Sequence, residues 1–201
     1  MSSPRRTQAA RSAATRDALI AAARPLFAVR GFGSVGTEEI VRAAGVTRGA
    51  LYHQFDDKTE LFAAVFEAVE AEITQRIAAA TDGSAITDPI ELMRLGAATW
   101  LAACTEPEIQ RIVLVEAPAV LGYERWREVS LRHGLGLVQT LLLYAMEVGR
   151  VRRQPVEPLA HVLIGALDEA ALYVAQSETP DRARADVLVV LEDLLGSMAV
   201  G

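Results

Sequence analysis

Residues 37–55 bring together side chains suited to contacts with a polyanion and with base edges. Thr47, Arg48, Gly49, Tyr52 and His53 fall on the outward side of one short segment, with the long donor Arg48 near its start. Ile40, Ala44, Val46, Leu51 and Phe55 are spaced to form the apolar side. The elements that would position them follow from the punctuation. Thr37 is expected to cap a first helix of about seven residues, too short to be stable alone. Gly45 supplies a left-handed turn position, and Thr47 caps a second helix. Small Ala43 and Ala44 allow the two helices to approach closely. The pattern is helix, tight turn, helix, and the outward face of the second helix is of the kind that reads bases in a major groove. The plainer alternatives are that Tyr52 packs on a preceding helix and that His53 is only solvated.

Other chemistries are excluded by context. Gly31-Phe32-Gly33-Ser34-Val35-Gly36 has the spacing of a dinucleotide-binding loop, with Asp56 beyond it. That loop requires a strand before it, whereas an amphipathic helix precedes it here, so no cofactor is expected. His53, His133 and His161 are scattered, and no paired-His or Cys-x-x-Cys spacing occurs, so no metal site is expected. There is no G-x-S-x-G elbow, and Cys104 lies in an apolar run that favours a buried, inert thiol. No catalytic constellation remains, so the chain is not read as an enzyme.

The 201 residues are 51% hydrophobic and 23% charged, enough to build one or two globular domains without disulfide or metal staples. A single cysteine fits a reducing compartment. The longest uncharged stretch, residues 133–146, falls short of the about 18 residues a membrane span needs, and no apolar leader follows the N-terminal arginines. The expectation is a cytoplasmic protein with no membrane partner. Charge is unevenly divided: residues 1–62 carry nine Lys/Arg against six Asp/Glu, and residues 63–201 carry eleven against twenty. A basic end on an acidic body predicts that only the N-terminal part meets a polyanion.

Helix signals recur along the whole chain, and strand signals are nearly absent. Thr15 is expected to cap a helix whose stripe is Leu19, Ile20, Ala23, Leu26 and Phe27, kinked at Pro25 and stopped by Gly31. Asp57 with Glu60, Asp88 with Pro89, and Thr105 with Glu108 mark three further starts. Pro118 and Gly122 bracket a break, a long helix spans residues 123–148 before Gly149, and two more begin near Pro155 and at Thr179-Pro180. The fold class predicted is all-α with about nine helices. Residues 1–14 form a basic, disordered arm containing Arg5, Arg6 and Arg11, residues 15–62 a three-helix helix-turn-helix domain, and residues 63–201 a helical body.

Residues 15–62 resemble the DNA-binding domain of TetR-family transcriptional regulators. The resemblance rests on the run Ala22-Ala23-Arg24-Pro25-Leu26-Phe27-Ala28-Val29-Arg30-Gly31-Phe32, on Thr37 and Ile40, on Ala43-Ala44-Gly45-Val46-Thr47, and on Gly49-Ala50-Leu51-Tyr52-His53-Gln54-Phe55, followed by Lys58 and Leu61. Pro25 and Val41 depart from the usual pattern, and neither touches the expected DNA face. The resemblance implies double-stranded DNA as a partner, with Thr37, Tyr52, His53 and Lys58 on phosphates and Thr47, Arg48 and Gly49 nearest the bases. An Arg48 pair with guanine O6/N7 is worth ~1–3 kcal/mol of discrimination.

The resemblance further implies that the body dimerises and binds a small-molecule effector. Two apolar stripes suit a four-helix interface with a second copy: Leu159, Val162, Leu163, Ala166, Leu167 and Ala170 on one helix, and Val187, Val190, Leu191, Leu194 and Met198 on the next. Each stripe equally suits intramolecular core. Candidate pocket residues are the polar and aromatic groups embedded among apolar ones: Trp100, Glu116, Tyr123, Trp126, His133, Tyr144, His161 and Asp168. Buried Glu116 or Asp168 would favour a cationic or hydroxylated ligand. The reading is a homodimeric, ligand-responsive repressor of a pseudo-palindromic operator. The alternatives are a transcriptional activator, or a helical small-molecule-binding protein or enzyme whose N-terminal helices are only structural.

Overall fold

Caps and left-handed glycines set the architecture. The computed structural model describes residues 8–200 and contains nine helical rods among them. Arg5 and Arg6 of the expected arm lie outside the described residues. The first helix, α1 (Gln8–Arg30), begins well before Thr15, so residues 8–14 are helix and not arm. The reason is local: four alanines lie among these seven residues, and alanine is the best helix former. Gln54 adds a tie by donating from Nε2 to Ser12 Oγ at 2.8 Å. Thr15 is interior, its Oγ1 donating to the Arg11 carbonyl at 3.0 Å. The helix continues through Pro25 and ends at Gly31, whose φ of 76° suits glycine.

A 3-10 turn, Phe32–Ser34, leads to α2 (Thr37–Ala44) and α3 (Arg48–Gln54). Next come α4 (Lys58–Asp82) and α5 (Pro89–Cys104). Asp57 Oδ1 accepts from the Glu60 amide at 2.9 Å, and Asp88 Oδ1 from the Ile90 amide at 2.8 Å, the two starts expected from sequence. Thr105 is a stop instead of a start: its Oγ1 donates to the Ala102 carbonyl at 2.7 Å, closing α5. The rod α6 joins Pro107–Ile109, a π-helical stretch Gln110–Glu116, and Ala117–Leu121. Pro118 does not break it. The Ala117 N–H reaches back five residues to Ile112, and this wider turn accommodates a proline that has no N–H of its own. The break comes at Gly122, with φ 77°. Helix α7 (Tyr123–Glu147) stops before Gly149, and α8 (Val156–Gln176) and α9 (Pro180–Ser197) complete the bundle.

By length and mean hydropathy, α8 could cross a membrane, which the uncharged-stretch criterion did not anticipate. Its apolar residues Ala160, Leu163, Ile164, Ala171 and Val174 are buried within the chain, and Asp168 at its middle is ion-paired with Arg127. That is the pattern of an interior helix of a bundle.

One apolar core runs from Leu19, Phe27, Ile40 and Leu51 through Leu61, Phe62, Val65 and Phe66 to Trp100, Ile112 and Trp126. Nothing interrupts it between residues 62 and 63, because the first half of α4 belongs to the N-terminal bundle and the second half to the body. Phe27, Phe32 and Phe62 meet with ring centroids 5.3–5.8 Å apart. A smaller cluster around Met93, Leu142, Leu163 and Leu195 closes the far end. Truncating the fully buried Phe62 to alanine should cost about 3–5 kcal/mol. A shared core makes that loss visible in the body, so denaturant unfolding of Phe62→Ala followed by fluorescence of Trp100 and Trp126 should show the full drop. A tryptophan transition left at the wild-type midpoint would mean that the two halves unfold independently.

Candidate nucleic-acid interface and ligand cavity

The short helices α2 and α3 are held by their inner faces. Ile40, Val41, Leu51 and Phe55 are buried, and Ala44 and Val46 pack against the same core. Gly45 turns the chain with φ 66°, and the Val46 amide returns to the Val41 carbonyl at 3.0 Å. Thr47 Oγ1 accepts from the Ala50 amide at 3.2 Å and so caps α3 as expected. Thr37 does not cap α2. Gly36 occupies that position without a side-chain bond, and Thr37 is the first helical residue, half-buried.

Thr47, Arg48, Gly49, Tyr52 and His53 all stand exposed on the outer face of α3. Arg48 Nη1 lies 3.0 Å from Glu38 Oε1, and its guanidinium sits 5.6 Å from the centre of the Tyr52 ring. Both partners of the ion pair are more than 60% exposed, so the pair contributes little and exchanges readily for an outside anion. No atom other than Thr47 Oγ1, at 3.9 Å, would meet a Cβ at Gly49, so packing does not demand glycine there. Its effect is to keep the helix surface low beside Arg48.

Lys58 has a structural task that the sequence did not suggest. Its Nζ donates to the carbonyls of Phe32 at 2.8 Å and Val35 at 3.0 Å, and lies 4.0 Å from the centre of the Phe32 ring. These bonds fasten the turn after α1 to the start of α4. Two of its three N–H bonds are thereby committed, which reduces its capacity as a phosphate ligand.

The ties between this three-helix unit and the body are polar as well as apolar. Arg24 on α1 reaches Glu72 on α4 at 2.6 Å and Glu108 on α6 at 2.5 Å. Glu60 on α4 forms a fork with Arg125 on α7 at 2.6 and 2.7 Å. Arg111 Nη1 donates to the Val29 carbonyl at 3.2 Å. Glu116 lies against the end of α1: a Cβ at Gly31 would fall 2.3 Å from its Oε1. Glu116 therefore belongs to the junction and not to a pocket.

In the body, α4, α5, α7, α8 and α9 line an apolar cavity that opens to solvent. Ile73, Ile77, Met93, Leu137, Leu141 and Leu167 form much of its wall, and Glu70, Thr74, Ser130 and Asp168 supply polar groups. Of the eight pocket candidates, the structure brings Trp100 and Asp168 to this cavity. The Trp100 indole N–H is directed to the Leu167 carbonyl at 3.4 Å. Trp126 is buried elsewhere, donating to the Val113 carbonyl in the π-helical turn at 3.1 Å. Tyr123 is exposed beside it. Tyr144 is exposed near the Thr87 carbonyl, His133 faces Glu67 at 3.7 Å, and the His161 carbonyl accepts from Arg127. None of these five, nor Glu116, lines the cavity.

Glu70 is the cavity group that sequence patterning missed. It is buried, its Oε1 accepting from Ser130 Oγ at 3.0 Å. Burial pushes its carboxyl up to about 7, with only the Ser130 bond opposing and the nearby Asp168 charge adding to the rise. Asp168 is also pushed up by burial, to about 6, against the pull of Arg127, whose Nη1 is 2.5 Å from Oδ2. Phe66, Glu70, Ile73 and Ile77 share one helical face, and that phase was the available signal. Cys104 is buried with its thiol pushed up, as an inert core group should be.

The expected dimer stripes divide. Leu163 and Leu191 are buried in the chain's own core and line the cavity, together with half-buried Ala166 and Leu167. Leu159, Ala170, Val187 and Met198 are half-buried against the chain's own clusters. Val162, Val190 and Leu194 remain exposed, joined by Tyr173 and Val189 on the same two helices.

Residues 19–65 match the family model described as bacterial regulatory proteins, tetR family, and residues 90–198 match that of the tetracyclin repressor-like C-terminal domain. The chain is 43% identical over 76 residues to the HTH-type transcriptional regulator CymR of Pseudomonas putida. That match covers 38% of this chain, which so spans little more than a third of that curated relative, 37% of its length. The crystal structure of a TetR-family transcriptional regulator from Pectobacterium atrosepticum superposes with a TM-score of 0.84 at 37% identity, covering 98% of this chain and 99% of the other. RolR in complex with resorcinol has a TM-score of 0.74 at 22% identity, covering 94% and 96%, a likeness of fold.

The raised Glu70 carboxyl makes stability depend on pH. Between pH 4.5 and about 7 the folded chain keeps a proton that the unfolded chain has lost, so raising pH through this window favours unfolding. Asp168 acts in the same sense between 3.8 and about 6. Glu70→Gln should be more stable than wild type at pH 8, by up to about 3 kcal/mol, with the difference fading toward pH 4.5. Urea titrations of the two proteins across that range report Glu70 together with its coupling to Asp168. A difference that is constant with pH, or that grows on acidification, contradicts the assignment.

Proposed function

This chain belongs to the TetR family of transcriptional regulators, and from that premise we propose that it is a homodimeric, ligand-responsive repressor acting on DNA in the cytoplasm. The observation that carries the reading is the exposed set Thr47, Arg48, Gly49, Tyr52 and His53 on a capped seven-residue helix whose opposite face is locked in the core. A rigid helix with a polar outer face is what insertion into a major groove requires. Arg48 exchanges Glu38 for a guanine edge, Thr47 offers its hydroxyl hydrogen and methyl group, and Tyr52 and His53 meet backbone phosphates. Thr37, at the uncapped start of α2, adds a phosphate contact through its hydroxyl and the first amides of the helix. Lys58 acts mainly by holding the turn that aims α2. Residues 15–62 serve as the DNA-reading unit and residues 63–201 as the effector-binding and dimerising unit, sharing α4.

Val162, Val190, Leu194, Tyr173 and Val189 are apolar groups that a second copy would cover, and two copies read a pseudo-palindrome. The cavity in the body is the effector site. That a protein of similar fold was crystallised with resorcinol supports the reading that such a body encloses a small molecule. Occupancy shifts the population of dimers away from the spacing that fits the operator, and a coupling of about 1–3 kcal/mol gives a roughly 5–150-fold fall in affinity.

Selection of bound sequences from a random duplex library, at two salt concentrations, should return a palindromic consensus with steep salt dependence. On that site Arg48→Ala should lose ~1–3 kcal/mol of discrimination against single-base changes while keeping its body fold. Equal operator affinity and equal discrimination for mutant and wild type would remove α3 from its assigned role.

A further inference from the structure

The polar end of the cavity has an unbalanced charge. The ionisable groups there are Glu70 on α4 and Asp168 on α8; among the described residues Arg127 on α7 pairs with Asp168, and no cation is paired with Glu70. Arg127 is already committed, its Nη1 to Asp168 Oδ2 and its Nη2 to the His161 carbonyl at 3.3 Å. Ser130 holds only one oxygen of Glu70, and Oε2 has no hydrogen-bond partner among the described residues. Once it gives up its proton, the Glu70 carboxylate faces an apolar space with one oxygen free and no counter-charge in contact with it. A neutral occupant with a hydroxyl can satisfy that oxygen and leaves the charge uncompensated; an anionic occupant adds to it. An ammonium group does both things at once, donating a hydrogen bond and balancing the negative charge.

Resting on the reading of this cavity as the effector site, we propose that its ligands are apolar molecules bearing a single protonated amine, with the ammonium at Glu70 and the apolar body along the walls formed by Ile73, Met93 and Trp100. Trp100 fits that apolar wall, because its N–H is turned to the Leu167 carbonyl and is not presented to the ligand. The raised Glu70 carboxyl is the cost of holding that charge without a partner, and the bound ammonium relieves it.

The test compares three probes of nearly equal shape on the full chain by calorimetry and by Trp100 fluorescence: 4-phenylbutylamine, 4-phenylbutan-1-ol and 4-phenylbutanoate. The amine should bind at least about tenfold more tightly than the alcohol, and the acid most weakly. Glu70→Gln, checked for helicity, should erase the amine's advantage and leave alcohol affinity within about twofold. Alcohol binding as tight as the amine, or tighter, overturns the cationic class while leaving the cavity a ligand site; so does preference for the acid. Binding of none of the three at millimolar concentration overturns both the class and the reading of the cavity as an effector site. The wild-type comparison needs no variant, so a Glu70→Gln chain that failed to fold would still leave the proposal decided.

Discussion

Everything in this molecule depends on one helix carrying a single core from the N-terminal bundle into the body. The first turns of α4 bury Leu61, Phe62, Val65 and Phe66 in the core that also holds Leu19, Phe27, Ile40 and Leu51 of the first three helices, and its later turns place Glu70, Ile73 and Ile77 at the cavity. A helix is stiff along its axis and a packed interior does not deform continuously. A change at one end of α4 is therefore felt at the other as a shift or rotation of the whole rod. The magnitudes favour this apolar continuity over the salt links. The Glu60–Arg125 and Arg24–Glu72 pairs are at least a quarter exposed and are worth about 0–1 kcal/mol each, whereas fully buried Phe62 is worth several times that on truncation. The ion pairs tie the units at their surface, and the shared core joins them.

A second route connects the same sites. Asp168 at the cavity holds Arg127, and its chain neighbour Trp126 donates to Val113 in the π-helical turn of α6. The same rod carries Arg111 and Glu116, which meet the end of α1 at Val29 and Gly31. A π-helical turn is rare and is found frequently at functional sites. This one stands between the cavity wall and the end of α1.

Much of this was legible in the chain. Gly45, Thr47, Asp57, Asp88, Gly122 and Gly149 act locally, and each sits where its own conformational preference puts it. The outer face of α3 was legible because period and polarity agree over a few residues. The cavity was far less so. Glu70 stands between Glu67 and Glu72, so by composition the stretch reads as acidic and solvated, and the packing of α7 and α8 over one side of α4 buries it. Tyr123 and Glu116 were misplaced for the converse reason: the π-helical turn and Gly122 reset the helical phase, so embedded polar residues there point to solvent and to the junction. The two C-terminal stripes divide between core and surface because each helix is apolar over more than one face, and periodicity alone does not say which face meets which neighbour.

The central claim is that filling the cavity changes how tightly the two recognition helices hold DNA. Gly134 on α7 lines the cavity, and a Cβ built there meets no atom within 4 Å. Gly134→Leu would place a tethered side chain in that space while improving helix propensity by up to about 1 kcal/mol. The decisive measurement is the operator affinity of this filled chain beside wild type, at matched salt, on the palindrome selected by the wild-type protein. The account predicts a folded protein whose operator Kd rises about fivefold or more. A folded Gly134→Leu chain that binds the operator as wild type does would contradict it.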